Sequence, residues 1–307
     1  MVKKINFFGL KEEYSFLKNK IRPKVEKVFF SGKYLQGSEI KNLENNLSKY
    51  FNNKSVITVN SCTDALFFAL KALNLKQNSE VLVTSFSFIA SMSSILRAGL
   101  KPVFVDIDDN YNLDLSDAKK KISRKTKALI FVHLFGKSGN LKKLQDFCKQ
   151  YKIELIEDIA QALGSIYRNK KCGTIGRFGC ISFDPTKTIA APGSGGAIIC
   201  NRKSDYNKIQ MLRYHGKNKN DFKVLGFNSQ MSELTATILN EKLKYNNLWI
   251  KKRNKIAKTY NLNLSKKIIK PKINNSEVHI FHKYVIRVKK RDLLVKYLQK
   301  NKIPCLI

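Results

Sequence analysis

Acidic residues are scarce in this chain of 307 residues: 23 Asp and Glu stand against 58 Lys and Arg, a formal net charge of +35 at pH 7. Such a surplus is typical of proteins that bind nucleic acid or an anionic membrane surface. The basic residues are scattered, however, as in KKISRKTK (119–126) and KKRNK (251–255), and no nucleic-acid-binding motif interleaves them with aromatics. Because Lys, Asn, Ile, Phe and Tyr are all abundant and have A/T-rich codons, a base bias explains the surplus. The sequence predicts no nucleic-acid partner and only a modest attraction for phosphorylated small molecules.

The chain also lacks paired cysteines and long apolar runs. No C-x-x-C pair occurs, and several cysteines lie in apolar runs where a reduced thiol simply packs; the six are Cys62, Cys148, Cys172, Cys180, Cys200 and Cys305. The N-terminal MVKKINFFGLKEEY has no apolar core of a signal peptide, and no stretch reaches the length of a membrane span. We therefore expect a protein without a membrane span, located in the cytosol.

What the chain does have is a recurring alternation of short apolar strands and helical segments. Its hydrophobic share of 43% can fill a sizeable core. Apolar residues at helical spacing predict helices, for example over 62–73 and 140–151. Near-continuous apolar runs, typical of a sheet covered on both faces, predict strands at 55–60, 80–85, 101–107, 127–134, 153–158, 179–184 and 195–200. This rhythm indicates an α/β fold with a mostly parallel sheet.

Segments outside this alternation predict further helices and a second, smaller domain. Upstream, the pattern of residues 38–51 predicts an amphipathic helix with Ser38 as its N-cap. The downstream pattern predicts, in order, a long helical region at about 229–260, a connector at 270–279, a strand at 282–290 and a helix at 291–300. We expect a large domain over 1–245 and a small α+β domain over 246–307.

Candidate binding residues follow the predicted strands, because ligands of open α/β sheets bind beyond the carboxyl ends of the strands. The segment NSCTDAL (60–66) opens a helix whose free N–H groups favour a phosphate; the alternative is an N-cap without a ligand. Two carboxylates end the strand segment IED (156–158). An unpaired buried charge is costly, so at least one of them should meet a cation, and a purely structural salt bridge is the alternative.

A lysine and two aromatic residues complete the candidate set. Lys187 lies between a strand-like run and the glycine-rich PGSGG. A partly desolvated lysine can act as a nucleophile toward a carbonyl group. The alternative is that Lys187 is an ordinary surface lysine without a catalytic role. Phe86 and Phe88 follow the second strand, where they either stack on a planar ring or belong to the core. An anion cradle, a stacking ring, a carboxylate and an amine together suit pyridoxal 5'-phosphate, whose aldehyde needs the lysine and whose ring nitrogen needs the acid.

A series of motifs runs through nearly the whole chain, from GKYLQGSEIKNLE (32–44) to HKYVIRVKKRDLLVKYLQKNKI (282–303). Between them stand NSCTDALFFALKAL, VTSFSFIASMSSILRAGLKPVFVDID, TKALIFVHLFG, IEDIAQALGSIYRNKKCGTIGRFGCISFDPTK, GSGGAII, LRYHG and GFNSQMSELTATIL. Their order and spacing resemble the DegT/DnrJ/EryC1/StrS family of sugar aminotransferases. The resemblance implies a fold-type I transferase with a mostly parallel seven-stranded sheet flanked by helices, and transamination of a nucleotide-linked ketosugar with an amino donor such as L-glutamate, for polysaccharide or glycan synthesis.

The resemblance also implies roles for individual residues. Lys187 matches the lysine that forms the Schiff base with the cofactor, and Asp158 matches the acid that pairs with the pyridine nitrogen. The other cofactor contacts are Gln161 beside the phenolic oxygen, Phe88 as the stacking ring, Thr63 and Asp64 in the backbone phosphate cradle, Ser182 as a hydroxyl donor to the phosphate, and Asn228 reaching the phosphate from the neighbouring subunit. The role of Asn228 implies a homodimer with shared sites. No metal is implied.

Some positions depart from the family pattern. Cys62 replaces a small Gly or Ala of the phosphate turn, and Gln230 stands where arginine is common. The pattern continues beyond the NKIP segment, so the small domain here is expected to be shortened. A shortened, non-catalytic member that binds cofactor or nucleotide sugar, or that associates with a full-length partner, is therefore the alternative hypothesis. His215 is a candidate substrate contact, with a structural role as its alternative.

Overall fold

Helices and strands alternate along the computed structural model, which describes residues 5–274 and 276–307. Residues 1–4 of the N-terminal stretch and residue 275 of the predicted connector lie outside the described residues. The helices are α1 (Leu10–Ser31), α2 (Ser38–Tyr50), α3 (Cys62–Ala72), α4 (Ala90–Arg97), α5 (Leu115–Lys121), α6 (Leu141–Gln150), α7 (Lys203–Leu212), α8 (Glu233–Leu243), α9 (Asn246–Asn263) and α10 (Arg291–Lys300). None of the described helices combines the length and the apolar character that a membrane crossing requires.

The strands are mostly short. They are β1 (Ser55–Val59), β2 (Glu80–Thr84), β3 (Lys101–Val105), β4 (Thr126–Val132), β5 (Glu154–Asp158), β6 (Ile166–Tyr167), β7 (Lys170–Lys171), β8 (Phe178–Ser182), β9 (Gly196–Cys200), β10 (Lys217–Asn218), β11 (Asp221–Phe222) and β12 (Glu277–Val278). The last of these pairs with β6, so the C-terminal part of the chain adds a strand to a small sheet formed by β6 and β7.

The central sheet has seven strands in the order β1, β9, β8, β5, β4, β2, β3. Strand β9 runs antiparallel to both of its neighbours, and the other six strands are parallel to one another. This confirms the predicted α/β fold with a mostly parallel seven-stranded sheet, and each predicted strand segment overlaps one of the seven strands. The carboxyl ends of the six parallel strands share one edge with the beginning of β9.

Helices cover both faces of the sheet, which explains the nearly unbroken apolar strands. In β1, Val56 points into one core cluster, and Ile57 points into the other. The first cluster contains Leu43 and Leu47 of α2 and Leu239 of α8. The helices of the second cluster are α3, which contributes most of their residues, α4 with Ile95, and α7 with Ile209 and Leu212.

Helix α2 does not begin as predicted. Gly37, and not Ser38, is its N-cap, and no side chain of α2 itself closes the end. The carboxylate of Glu233 on α8 does this instead, because it accepts the backbone N–H groups of Gly37 and Glu39, each at 2.8 Å, and of Ile40 at 3.1 Å. A buried carboxylate thus satisfies the free donors of a helix nearly 200 residues away in sequence.

One prediction in the C-terminal part was wrong and another needs a refinement. The region predicted as helical at about 229–260 is helical, but it consists of two helices, because α8 ends at Leu243 and α9 begins at Asn246. The segment 282–290 is not a strand, and its ladder contact is a single bridge between Ile269 and Arg287. Helix α10 was predicted correctly, and none of its residues is buried. The division into domains at residue 245 stays a prediction.

Candidate functional site

The predicted site residues gather at the sheet edge where β1, β5 and β8 end and β9 begins. A close backbone approach shapes this edge. A Cβ atom on Gly196, the first residue of β9, would lie 2.4 Å from the carbonyl carbon of Ser61 and 2.7 Å from the backbone nitrogen of Cys62. Because glycine has no Cβ, it lets β9 pair at full register while the turn before α3 packs directly on it.

Asp158 is the buried carboxylate of this edge. It ends β5 with 5% of its surface exposed. Its Oδ2 accepts a hydrogen bond from Ser91 Oγ, and its Oδ1 accepts one from the backbone N–H of Ala160, both at 3.0 Å. Burial raises the pKa of Asp158, and the two hydrogen bonds and the charge of Lys187 oppose this effect. A carboxylate held in this way favours a cationic partner such as a protonated ring nitrogen.

The preceding residue, Glu157, has a structural role. Its two oxygens accept three backbone N–H groups of the turn 173–176, each at 2.7 Å. Its Oε1 also lies 3.1 Å from Nε2 of the fully buried His133. Burial lowers the pKa of His133, but the contacts with Cys172 and the Glu157 carboxylate outweigh burial and raise that pKa to about 10. One carboxylate of the pair therefore meets a cation, as the sequence predicted, and the other stays available.

Replacing Glu157 with Gln should cost the folded protein about 3–5 kcal/mol, because it breaks a buried ion pair and turns a donor toward the N–H groups of the 173–176 turn. The measurement is the free energy of unfolding from urea denaturation. Glu154→Gln is the matched control, because Glu154 lies in the same strand and pairs with Arg177 near the surface, and it should cost at most about 1 kcal/mol. Equal losses in the two variants would contradict the structural role of Glu157.

Lys187 lies in a turn after β8, where its backbone N–H donates to Asp184 O at 2.9 Å. Its side chain is half-buried, and its positive charge lowers the pKa values of Asp158 and Cys62.

Cys62 lies at the beginning of α3, in the same site. Burial, and then the Asp158 carboxylate, raise the pKa of Cys62 well above its ordinary value, so this thiol stays protonated. Cys62 has a negative φ, and its substitution for Gly or Ala therefore brings no backbone strain. The amine, the acid and the thiol share one site.

The beginning of α3, in the NSCTDAL segment, has both an N-cap residue and a free N–H group for a phosphate. Ser61 is a true N-cap, because its Oγ accepts the backbone N–H of Asp64 at 3.1 Å. The Asp64 carboxylate accepts hydrogen bonds from Arg97 at 2.5 Å and from Ser229 Oγ at 2.7 Å. The backbone N–H of Thr63 makes no hydrogen bond within the described residues. Thr63 therefore presents the free donor that a phosphate cradle requires, whereas the N–H of Asp64 already has an acceptor.

The two phenylalanines after β2 differ in their surroundings, and neither belongs to the core. Phe86 stacks on Tyr111 with ring centroids 6.0 Å apart and meets the edge of Phe135 at 6.5 Å. Phe88 is 72% exposed and has no aromatic neighbour among the described residues. Phe88 is thus the ring that is free to stack on a planar cofactor, as the resemblance implies.

Gln161 and Ser182 each retain a hydrogen-bond donor. Gln161 Oε1 accepts the backbone N–H of Phe135 at 2.8 Å, which leaves its amide NH₂ group to donate to a phenolic oxygen. Ser182 Oγ accepts the backbone N–H of Asp184 at 3.3 Å, which leaves its O–H to donate to a phosphate. Both arrangements are compatible with the implied roles.

Asn228 and His215 lie next to each other on the surface, in a segment apart from the Asp158 carboxylate. The backbones of Tyr214 and Asn228 form an isolated antiparallel bridge, and the N–H of His215 donates to Phe227 O at 3.0 Å. Both side chains are exposed, and His215 has a positive φ of 53°. The Asn228 side chain makes no hydrogen bond within the described residues. An exposed amide of this kind is consistent with a contact to a second subunit, and the two assignments stay predictions.

Sequence reasoning missed two residues that contact Asp158, which are Ser91 and His133, and a lysine in the pocket lined by Phe135. Ser91, which donates to Asp158, lies in the first turn of α4 beyond the SFSF motif. His133 follows β4, and the rule about strand ends would have found it. Lys283 lines a pocket beside Phe135 and follows no strand, so no pattern in the sequence indicated it. In the described residues, no three His, Cys, Asp or Glu side chains come together as a metal site.

The sequence of the chain is similar to those of known proteins along nearly its whole length. The family model for the DegT/DnrJ/EryC1/StrS aminotransferase family matches residues 16–307. The chain belongs to this family. It is 36% identical over 309 residues to a pleiotropic regulatory protein of Geobacillus stearothermophilus, covering 99% of this chain and 83% of the relative. It is 35% identical over 308 residues to the dTDP-3-amino-3,6-dideoxy-alpha-D-galactopyranose transaminase of Aneurinibacillus thermoaerophilus, covering 99% and 84%.

The fold of this family member is also that of solved aminotransferases. The crystal structure of DesV from S. venezuelae, in complex with a ketimine intermediate, superposes with a TM-score of 0.95 at 30% identity, covering 99% of this chain and 83% of that one. The protein is therefore an aminotransferase, and its cofactor is pyridoxal 5'-phosphate. The residues present fit this cofactor, because the edge offers the exposed ring of Phe88, the unpaired N–H of Thr63 and the buried carboxylate of Asp158.

Proposed function

We propose that this aminotransferase transfers an amino group from an amino acid such as L-glutamate to the keto group of a nucleotide-linked sugar. The observation that carries the proposal is that the half-buried Lys187 lies at the same sheet edge as the buried acid Asp158, close enough for its charge to lower the pKa of that carboxyl. The transaminase named for a dTDP-linked amino sugar, which matches along 99% of this chain, supports the substrate class. The amino sugar would serve polysaccharide or glycan synthesis in the cytosol.

In this proposal, each residue acts at a stated atom. When bound, pyridoxal 5'-phosphate supplies an aldehyde for the lysine and a ring that withdraws electrons. Asp158 keeps a proton on the ring nitrogen, and Lys187 Nζ moves a proton to and from the substrate carbon. Phe88 stacks on the ring, and Gln161 donates to its phenolic oxygen. The phosphate is held by a separate set of groups, which consists of the backbone of Thr63 and Asp64 and the hydroxyl of Ser182.

The proposal includes a homodimer with shared sites. Its support is the exposed side chain of Asn228, which lies one residue before Ser229, the partner of Asp64 at the beginning of α3. The amide therefore lies near the phosphate turn and is free to contact a second copy of the chain. His215, exposed in the same segment, is the proposed substrate contact.

The test is a mass-spectrometric screen of dTDP- and UDP-linked ketosugars with L-glutamate and the cofactor-loaded protein. We expect an amino sugar nucleotide and 2-oxoglutarate in equal amounts, with ping-pong kinetics. Uptake of the cofactor without product or 2-oxoglutarate from any ketosugar would overturn the proposal and favour the non-catalytic alternative. The same screen identifies the sugar and its nucleotide.

A further inference from the structure

Lys283 lines a pocket together with Phe135, whose backbone N–H donates to Gln161, a proposed cofactor contact. The residues before Lys283 pack on the turn after β4, where the N–H of Ile280 donates to Gly136 O at 3.1 Å. A Cβ atom on Gly136 would lie 3.0 Å from Gln161 O and 3.2 Å from His282 N. The segment therefore lies against the backbone of a proposed cofactor contact, and Lys283 is its next residue.

The surroundings of Lys283 do not neutralise its charge. Its Nζ lies 4.3 Å and 4.4 Å from the ring centroids of Phe7 and Phe8, and no carboxylate of the described residues forms an ion pair with it. Burial, together with the charges of Arg253 and Lys187, lowers the pKa of Lys283 to about 8. A half-buried cation near the proposed nucleophile thus lacks an anion.

Of the other cations that line the same pocket, the buried Lys137 and the half-buried Lys270 have oxygen acceptors, whereas Lys272 and Arg287 are exposed. Arg287 pairs with Asp109 at 3.5 Å. Lys137 Nζ donates to an amide oxygen and a carbonyl oxygen at 2.9 and 3.0 Å, and Lys270 Nζ donates to two carbonyl oxygens at 2.9 and 3.1 Å. Among the buried and half-buried cations of this pocket, Lys283 is the one whose Nζ lies over aromatic rings and has no oxygen acceptor among the described residues.

We propose that Lys283 binds the carboxylate of the amino-acid donor and of the 2-oxo acid it becomes. This inference rests on the proposed transamination. One half-buried ammonium without an oxygen acceptor matches one carboxylate, whereas a nucleoside diphosphate needs several cationic donors. The position is also suitable, because the carboxylate is attached to the carbon whose proton Lys187 would move. A charged donor on this side would orient that carbon toward the amine.

The test is titration calorimetry of the cofactor-loaded protein with glutarate, a dicarboxylate that has no amino or keto group to exchange. Lys283→Gln should raise the Kd for glutarate by about tenfold or more, as expected for loss of a charge-assisted hydrogen bond. Lys283→Arg should restore most of the affinity. Lys289→Gln is the matched control, because it removes the same charge from an exposed position nearby and should leave Kd unchanged.

The pH dependence gives a second signature. A bound carboxylate favours the charged amine, so the glutarate affinity of the unaltered protein should fall as the pH rises through about 8, the value to which the pKa of Lys283 is lowered. Lys283→Arg stays charged and should flatten this profile. The nearby Arg253 guanidinium stays charged in this range, and burial lowers the pKa of His282 to about 3, which keeps it neutral. In the loaded protein, the Lys187 amine is bound to the cofactor.

Three results would overturn the inference. The first is the absence of glutarate binding to the unaltered protein, and the second is unchanged glutarate binding in Lys283→Gln. The third is a variant Lys283→Gln that keeps its affinity for glutarate but loses affinity for dTDP or UDP, because this would assign a phosphate to Lys283. Because no sugar is present in the titration, its outcome is independent of the ketosugar screen. An unchanged cofactor absorbance spectrum in Lys283→Gln shows that the site is intact.

Discussion

Replacing Lys187 with Ala should abolish the covalent attachment of pyridoxal 5'-phosphate and lower the transamination rate by about 10⁴-fold, the upper end for a positioned acid–base group. The expected loss is large because, in the proposed mechanism, the same Nζ both joins the cofactor and moves the substrate proton. The measurement is borohydride reduction of the loaded protein followed by mass spectrometry. In the unaltered protein, a phosphopyridoxyl group should appear on the peptide that contains residue 187, and in the variant it should be absent.

Lys283 supplies the sharpest control for this experiment. Its pKa is lowered to about 8, so it is the amine near the site that would compete most effectively for the cofactor aldehyde. Lys283→Gln should keep the adduct on residue 187. A reduced adduct on residue 283 in the unaltered protein would contradict the assignment of Lys187, and the absence of any adduct would contradict the cofactor site as a whole.

Replacing Asp158 with Asn should lower the transamination rate by roughly 10- to 10³-fold. A carboxylate near a titrating group shifts its pKa by about 1–3 units, and each unit changes the protonated fraction about tenfold. Without the charge of Asp158, the ring nitrogen loses its proton at neutral pH and withdraws electrons less well. The measurement is the single-turnover rate with L-glutamate. Asp184→Asn is the control, because it removes a carboxylate from the exposed loop that carries Lys187 and should change the rate little.

The same substitution should stabilise the cofactor-free protein. Burial raises the pKa of Asp158 above its ordinary value of 3.8, so the folded state holds the charged form less favourably than the unfolded chain does. Stability is therefore lost as the pH rises from about 4 through the raised pKa, and Asn at this position has no such dependence. Thermal unfolding at neutral pH should give a higher Tm for the Asp158→Asn variant. A lower Tm together with an unchanged rate would show that Asp158 is only structural.

The sheet was predictable because its strands are buried on both faces. In β1, Val56 and Ile57 point into different core clusters, so the whole strand is apolar and stands out in the sequence. The helix break near Lys244 was not predictable, since neither Gly nor Pro marks it. The segment 282–290 alternates like a strand, but a strand needs a partner along its length, and only Arg287 has one.

The sequence by itself determined the α/β alternation and the order of the motifs, and with them the family, the cofactor and the candidate roles of Lys187 and Asp158. These features depend on residue types and spacing along the chain. Only the tertiary structure decided that Glu157 holds the 173–176 turn while Asp158 stays available, and that Lys283 lies over two aromatic rings and pairs with no carboxylate of the described residues. The reason is that burial and hydrogen-bond partners come from segments distant in sequence, and these set both the cost of a charge and its availability for chemistry.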